Sequence, residues 1–574
     1  MHLHRLWIGN FRNLRAFEIT FAAKADVDGE SRRLRSHAVI GQNGSGKSNM
    51  LEAIVTIFRD LDLNQPTSFG YELEYSVRGY DVSIVAEANA EPMVTIGGEP
   101  ADPWLLSDRF RESPETGESE RGSARLYLPS HIFTYYSGKS ERLELLFQEH
   151  QRRYIENLND FGEEVDSDSL LRRLFYCTHP HARLVLLSCL LAPERPLKEI
   201  LHDLRIEEID SALFTLKKPY RLSGDLSTTD IKQGDNRFWY DRTRFSEEFL
   251  SKLWELATAP IDHTEEKLID FRGRTEPQEL LYLFLKDRET LLRLKDETGT
   301  GDSSRFFQYI EGSYIADLLD DVRIFVKHKT ADDVISFEQL SEGELQLLTV
   351  LGLMRITRQD HCLFLLDEPD THLNPIWKLR YFDRINEAMH QDEEETIQGD
   401  SQVIITTHDP MMIGSLRKEQ VRILRNESAK TTVTTPHEHP QGMGVAGLLK
   451  SDTFGLPSTL DRDTLNKLDM RNALLGKKQR GELAPEELTE LQSLQTYLED
   501  LGFAHESRDP LYQLFIEKMY TVKKRPLDEI MSKDELATQE KLAEKIVVEL
   551  VKREKTDELS LLAQELKLQL EDNP

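Results

Sequence analysis

The stretch Gly41-Gln42-Asn43-Gly44-Ser45-Gly46-Lys47-Ser48 constrains this 574-residue chain more than any other. It spells G-x-x-x-x-G-K-S, and its flanks make the spelling meaningful. Ala38, Val39 and Ile40 before it read as a buried strand. Asn49-Met50-Leu51-Glu52-Ala53-Ile54-Val55 after it reads as an amphipathic helix. Glycines in such a turn let backbone N–H groups close around phosphate oxygens, and the helix N-terminus adds its dipole. Lys47 is then placed to reach the β- and γ-phosphates of a nucleotide, and Ser48 to ligate Mg2+. An α/β fold follows, because a loop of this kind sits between a strand and a helix.

Three later segments supply what such a loop lacks. Leu363-Phe364-Leu365-Leu366 followed by Asp367-Glu368 reads as a buried parallel strand ending in two carboxylates. Asp367 would hold Mg2+ through water, and Glu368 would orient or deprotonate an attacking water. An acidic pair after an apolar run is common by itself; a phosphate loop upstream gives it meaning. Leu340-Ser341-Glu342-Gly343-Glu344 opens an apolar helix from Leu345 to Met354. Ser341 and Glu344 have capping-box spacing, which alone marks a helix start. With Gly343 between them the same segment can be an anion site at a helix N-terminus. Val403-Ile404-Ile405-Thr406-Thr407-His408 is a further buried strand, ending in a histidine that is either structural or a γ-phosphate sensor.

The order of these motifs resembles the ATP-binding-cassette ATPases, most of all their soluble SMC/RecF/OLD-like branch. Leu6-Trp7-Ile8-Gly9-Asn10-Phe11-Arg12-Asn13-Leu14 is similar to that branch's first strand and turn. The resemblance implies Walker A at Gly41–Ser48, the signature at Leu340–Glu344 and Walker B at Leu363–Asp367. It implies Glu368, His408 and Lys47 as catalytic residues, with Ser48 and Asp367 as Mg2+ ligands. ATP would be held by Asn43, Gly44, Ser45, Gly46, Lys47, Ser48, Asn49 and Arg12, with Ser341, Gly343 and Glu344 facing the ATP of a second copy. A homodimer around two ATP molecules is thereby implied, with larger oligomers open. The segment Glu368–Pro375 is similar to the branch's E-P-E-x-x-L-H-P stretch but has Asp370 and Asn374 where glutamate and histidine are usual. Tyr135-Tyr136-Ser137-Gly138 is the best candidate for the Q-loop junction, and it also reads as a plain strand and turn.

The expected architecture is an ABC-type head, split in sequence, with a mixed sheet and an antiparallel β lobe. Residues 1–136 carry its first part, including alternating strands at Tyr71–Arg78, Val82–Ala86 and Met93–Ile96. Residues 137–321 read as a mainly helical inserted lid, with helices at Glu141–Leu158, Ser169–Leu191 and Ser246–Ala257 and a strand-like break at Ser211–Leu216. The insertion is too short and unrepetitive for coiled-coil arms. The head resumes at Val322–Val326 and runs to 456, closing with a hairpin at Gln420–Leu424 and Thr431–Thr435. Gly442–Gly447 matches G-x-G-x-x-G but follows no buried strand, which argues against a dinucleotide site. Residues 457–574 read as a helical module without nuclease or toprim motifs.

Charge and targeting narrow the role. Acidic residues number 102 against 72 basic, a formal net charge of −30. General coating of nucleic acid is therefore disfavoured, since phosphate binding needs a basic face. Basic clusters at Arg32-Arg33-Arg35, Lys477-Lys478-Arg480 and Lys523-Lys524-Arg525 keep local DNA contact open. No signal-type apolar start and no membrane-length run are seen, and Cys177, Cys189 and Cys362 read as buried thiols, so a cytoplasmic location is expected. The helical lid and tail further resemble the ATPase family of Septu-type and retron-linked anti-phage systems. That resemblance implies a partner HNH nuclease (PtuB-like) docking on the C-terminal module, with nucleic acid reached through the complex. The alternative is a RecF-like DNA-binding ATPase of repair or recombination.

Overall fold

The computed structural model describes residues 1–22, 24–27, 30–112, 119–138, 140–160, 173–177, 179–191, 195–222, 232–243, 245–268, 272–299, 303–329, 334–356, 361–389, 401–427, 430–456, 458–481, 483–501, 541 and 545. Contacts divide the chain into two units, Met1–Gly442 and Met443–Pro574.

The first unit is built on a seven-stranded sheet. Its strand order is Leu174–Cys177, Ile132–Tyr136, Leu363–Asp367, Gln402–Thr407, Ser36–Gly41, Val421–Glu427, Lys430–Thr434. Every neighbouring pair is parallel except the final hairpin. The central strands are buried throughout except at Gly41, as expected of continuous apolar runs covered on both faces. This order puts the strand ending at Thr407 directly between the phosphate-loop strand and the Asp367 strand, so three motifs meet at one sheet edge.

A six-stranded antiparallel sheet forms the β lobe, in the order Leu14–Thr20, His2–Phe11, Tyr71–Val77, Tyr80–Ala86, Met93–Ile96, Glu99–Ala101. Its alternating apolar face (Leu6, Ile8, Phe17, Tyr71, Leu73, Tyr75) packs with Met50, Ile54, Ile57, Phe58 and Leu61 of the helix Lys47–Asp62. The phosphate-loop helix is thus gripped by the lobe along its length. At its far end Asp62 is fully buried and accepts from His150 Nε2 at 2.8 Å and Arg173 Nε at 2.8 Å. That network ties it to the inserted helix Glu141–Asp160.

Among the described residues the insertion is richer in helix than in strand, as expected, but its strand content exceeds the single break read from the sequence. It carries a five-stranded antiparallel sheet, ordered Pro260–Leu268, Thr275–Leu285, Ile206–Lys217, Leu319–His328, Val334–Ser336. The strand-like break expected at Ser211–Leu216 is the middle of this sheet, and register shifts at Ile206/Glu208 and Ile209/Ser211 blur its period-2 pattern. The leucine-rich run Leu280–Leu285 reads equally as helix or buried strand. Leu319–His328, assigned from the sequence to the resuming head, belongs to this sheet, so a boundary at 321/322 cuts a strand. Leu174–Cys177 likewise is a strand and not part of a 169–191 helix; its four residues are all buried, so no face pattern marks it. The helices His179–Leu191, Arg195–Asp203, Ser251–Leu256, Arg288–Gly299 and Ser303–Ile315 complete the insertion.

The second unit begins before the expected boundary at 456/457. It holds the helices Gly444–Lys450, Arg462–Gln479 and Pro485–Asp500. Asp461 caps the second of these, accepting from Thr464 N at 2.9 Å. Lys467 Nζ sits 3.8 Å from the centre of the Tyr497 ring, and Lys477 pairs with Glu487 at 2.6 Å, joining the two longer helices. The later apolar periodicities of the tail and the Lys523–Arg525 cluster lie outside the described residues. Among the described residues no helix is long and apolar enough to cross a membrane.

Candidate nucleotide-binding site

The phosphate loop leaves the central strand at Gly41 and enters its helix at Lys47. Two glycines make the turn. Gly44 and Gly46 have φ of +79° and +100°, values that favour residues without a Cβ. Gly41 is needed for space: a Cβ there would lie 2.6 Å from Ser45 Oγ and 2.7 Å from Leu424 O. The apex is pinned from both sides. The Gly44 carbonyl accepts from Asn13 Nδ2 at 3.0 Å and from Asn426 Nδ2 at 3.1 Å. Asn49 Nδ2 in turn donates to Asn13 Oδ1 at 2.7 Å, and the Thr431 hydroxyl reaches Ser45 O at 3.3 Å. Among these, Asn49 was expected to touch nucleotide; here its side chain holds the loop.

Arg12 was likewise expected at the nucleotide. Its guanidinium forks onto the Glu52 carboxylate and also donates to Asn49 Oδ1 at 3.2 Å. Glu52 is buried, so the pair locks the first turn to the phosphate-loop helix. Arg12 thereby holds the first turn against the phosphate-loop helix through Glu52.

Lys47 Nζ donates to Gly41 O at 2.8 Å and lies 3.7 Å from Glu368 Oε1. Burial pulls its ammonium below the ordinary lysine range, and Glu368 and Asp367 oppose that fall. His408 Nδ1 lies 3.2 Å from the same Glu368 oxygen. Glu368 thus sits between the loop lysine and the strand-end histidine. Its backbone adopts φ +48°, and its N–H is held by Thr406 O at 3.0 Å and Thr406 Oγ1 at 3.2 Å. The turn aims the carboxylate into the site at the cost of a left-handed residue.

Asp367 is buried, and its Oδ1 accepts from the Thr406 hydroxyl. Its Oδ2 is buried with no hydrogen bond among the described residues. Burial raises the Asp367 carboxyl pKa, opposed by the Thr406 and Ser48 hydroxyls. An unmatched, buried carboxylate oxygen beside a loop serine suits a hard cation taking oxygen ligands. Asp370 is also buried, with Oδ2 accepting from the Thr407 hydroxyl at 3.1 Å, and burial raises its pKa too. Asn374 caps the following helix, accepting from Trp377 N at 3.0 Å, which accounts for asparagine at that position. Ser137, in the proposed Q-loop segment, bonds through its hydroxyl to Thr371 Oγ1 at 3.1 Å.

The signature segment behaves differently. Ser341 and Glu344 form the expected capping box, Ser341 N to Glu344 Oε2 at 2.9 Å and Glu344 N to Ser341 Oγ at 3.4 Å. Gly343 is tight against its own chain, where a Cβ would fall 2.2 Å from His372 O. Gln346 Nε2 donates to Pro369 O at 2.6 Å. The signature helix is therefore docked on the loop after Glu368, and Ser341 and Glu342 stay exposed. No bond among the described residues joins Ser341, Gly343 or Glu344 to Gly41–Ser48. Thr406, Asn426 and Thr431 were not singled out from the sequence; ordinary polar residues at strand ends carry no motif. Asn13 was visible within the first-turn resemblance.

Residues 104–413 match the family described as "AAA domain, putative AbiEii toxin, Type IV TA system". This is more than half of the chain. The chain belongs to this family of ABC-type P-loop ATPases. The match takes in the signature, Walker B and His408, while Gly41–Ser48 precedes it. Septu protein PtuA of Bacillus mycoides (strain KBAB4) is 27% identical over 227 residues, 38% of this chain. That alignment spans only 30% of the relative's length. Among solved structures, the SMC head domain from Thermotoga maritima is 14% identical, with coverage of 76% of this chain and 99% of that one and a TM-score of 0.29. The recombination mediator RecF is 12% identical, with coverage of 75% and 98% and a TM-score of 0.27. The fold assignment rests on the strand order and the motif geometry, not on those scores.

Proposed function

We propose that the protein is an ATP-driven dimerisation switch that controls a separate effector, an HNH nuclease of an anti-phage system of the PtuA kind. The observation that carries the ATPase part is Glu368, set between Lys47 and His408 beside the unmatched Asp367 oxygen. In this reading the amides of Asn43–Ser48 and the Lys47 ammonium bind the phosphates. Lys47 leaves Gly41 O to do so. Ser48 and Asp367 would hold Mg2+, which when bound offsets charge on the β- and γ-phosphates. Glu368 accepts a proton from the attacking water, and His408 holds the Glu368 carboxylate in line. Ser341 and Gly343 would cap the ATP of a second copy through the helix N-terminus. The effector part is supported by the likeness to Septu protein PtuA and by a second unit that carries no part of the site just described. The RecF-like alternative draws no support from Lys477, which is paired with Glu487.

The test is the Glu368→Gln protein with ATP and Mg2+, examined by light scattering after gel filtration and by turnover. Turnover should fall about 100-fold or more, while a dimer persists that the parental protein forms only transiently. Parental turnover in E368Q would falsify the assignment of the base. Pull-down of the full chain from its own cells, read by mass spectrometry, tests the effector: recovery of an HNH protein is expected, and recovery of none rejects that part.

A further inference from the structure

We propose that the free edge of the Pro260–Leu268 strand is a docking edge for an extended, basic segment of a partner protein. The proposal is independent of the nucleotide reading. Pro260–Leu268 is the outermost strand of the inserted sheet, and all nine of its residues are exposed. Its neighbour Thr275–Leu285 pairs with Ala212–Lys217 over Leu280–Leu285 and is paired on both sides only over Leu280–Leu283. Glu279 O still accepts from Lys218 N at 3.0 Å, whereas the backbone of Thr275–Gln278 pairs with Glu265–Leu268 alone among the described residues. These four residue pairs therefore project from the sheet as a two-stranded ribbon with no third strand among the described residues, a form that is marginal in water without a further partner.

The two edges of the ribbon differ. The Thr275–Gln278 edge carries Pro277, which lacks an N–H. The other edge has proline only at its first residue, leaving an unbroken row of backbone groups from Ile261 to Leu268. Asp262, Glu265 and Glu266 line that strand, and among the described residues none forms an ion pair with them. Lys267 is its one lysine. Ile261 and Leu268, 57% and 61% exposed, stand at its two ends as apolar anchors. Strand addition draws affinity from main-chain bonds and specificity from alternate side chains. A second copy of this strand fits poorly, because it would set three carboxylates against three. The same acid that repels a like strand admits one carrying lysine or arginine at alternate positions.

The experiment uses the full chain and a short fluorescent peptide alternating lysine with valine. Its control has equal charge, with each valine replaced by proline so that no strand can form. Fluorescence anisotropy should show the valine peptide binding roughly tenfold or more tighter than the proline one. Hydrogen exchange should slow at the amides of 261–268 when it binds. That preference should vanish in D262K/E265K/E266K and survive in E87K/E91K, which reverses two exposed carboxylates of the β lobe. Unchanged melting temperatures show that both variants are folded; E265K/E266K serves if the triple variant is not. Equal binding of the two peptides overturns the proposal, since charge alone would then suffice. Equal preference in D262K/E265K/E266K also overturns it. So does protection of 261–268 in the free chain that disappears with dilution, because the edge would then belong to a second copy.

Discussion

Around Gly44 and Ser45 the chain supplies everything a phosphate loop needs. Asn13 and Asn426 hold its apex, Arg12 and Glu52 fix its helix, and Thr406 aligns the carboxylates opposite. Around Ser341 the chain supplies only what a helix needs: a reciprocal cap and a seat on His372 and Pro369. One region is a finished receptor; the other is a finished surface with nothing of its own to bind. Under the proposed dimerisation, the exposed helix N-terminus at Ser341 would meet the ATP of another copy, and the two halves of a site would come from two chains.

The largest effect should come from breaking the finished half. Lys47→Ala removes the buried cation that faces the phosphates, and ATP affinity should drop by about 100-fold or more, a loss of roughly 3 kcal/mol typical of a buried charged pair. Titration with a fluorescent ATP analogue reads it directly. Near-parental affinity would mean that the loop amides alone carry binding.

Ser341→Arg attacks the other half and should leave ATP affinity of the chain unchanged while turnover falls roughly 10-fold or more, since only the transition-state cap is lost. Mixing settles the comparison. K47A has an intact signature and S341R an intact loop, so an equal mixture of two inactive proteins should recover roughly a quarter of parental turnover through mixed dimers, half of all pairs with one complete site each. No recovery on mixing would place both halves of a site in one chain.

The parts of this comparison differed in how legible they were. Gly41–Ser48, Asp367-Glu368 and the Ser341/Glu344 box were readable because their chemistry demands fixed residue types at fixed spacing. The central strands of the seven-stranded sheet and its closing hairpin were readable because continuous apolar runs leading into motif residues have few other uses, whereas its edge strand Leu174–Cys177 was not. The β sheet of the insertion was not. Ile206–Lys217 carries bulges, Leu280–Leu285 is apolar without alternation, and Pro260–Leu268 buries nothing, so period 2 is written in none of them. The bonds of Arg12 to Glu52 and of Asn49 to Asn13 were not legible, because resemblance reports a residue's position and not its partners within the chain. Gly343 is the instructive case. Its motif suggested close approach of an anion, yet the space that its missing Cβ leaves is filled by His372 O of the same chain.

That contact gives the next prediction. Gly343→Ala puts a methyl 2.2 Å from the His372 oxygen, closer than atoms tolerate, so the signature helix must shift off the loop that follows Glu368. Overpacking of this sort costs about 1–3 kcal/mol. The variant should lose stability in thermal melts and turnover together, whereas S341R loses turnover alone. A Gly343→Ala protein with parental melting and low turnover would return the glycine to the anion.

The smallest effect tests the finished half at its most replaceable point. Asn426→Ala removes one of the two donors on the Gly44 carbonyl and leaves the Thr431 hydroxyl, which bonds Asn426 Oδ1 at 3.2 Å, with Ser45 O alone. Gly44 stays held by Asn13, so the loop should loosen without collapsing. A single neutral hydrogen bond contributes about 0.5–1.5 kcal/mol, so the ATP dissociation constant should rise about two- to tenfold with the bound-state turnover little changed. The double variant with Asn13→Ala should exceed the sum of the two singles, because either donor can hold the carbonyl when the other is gone. Strict additivity would show that each asparagine serves its own strand or turn, and that the apex of the loop is shaped by its glycines alone.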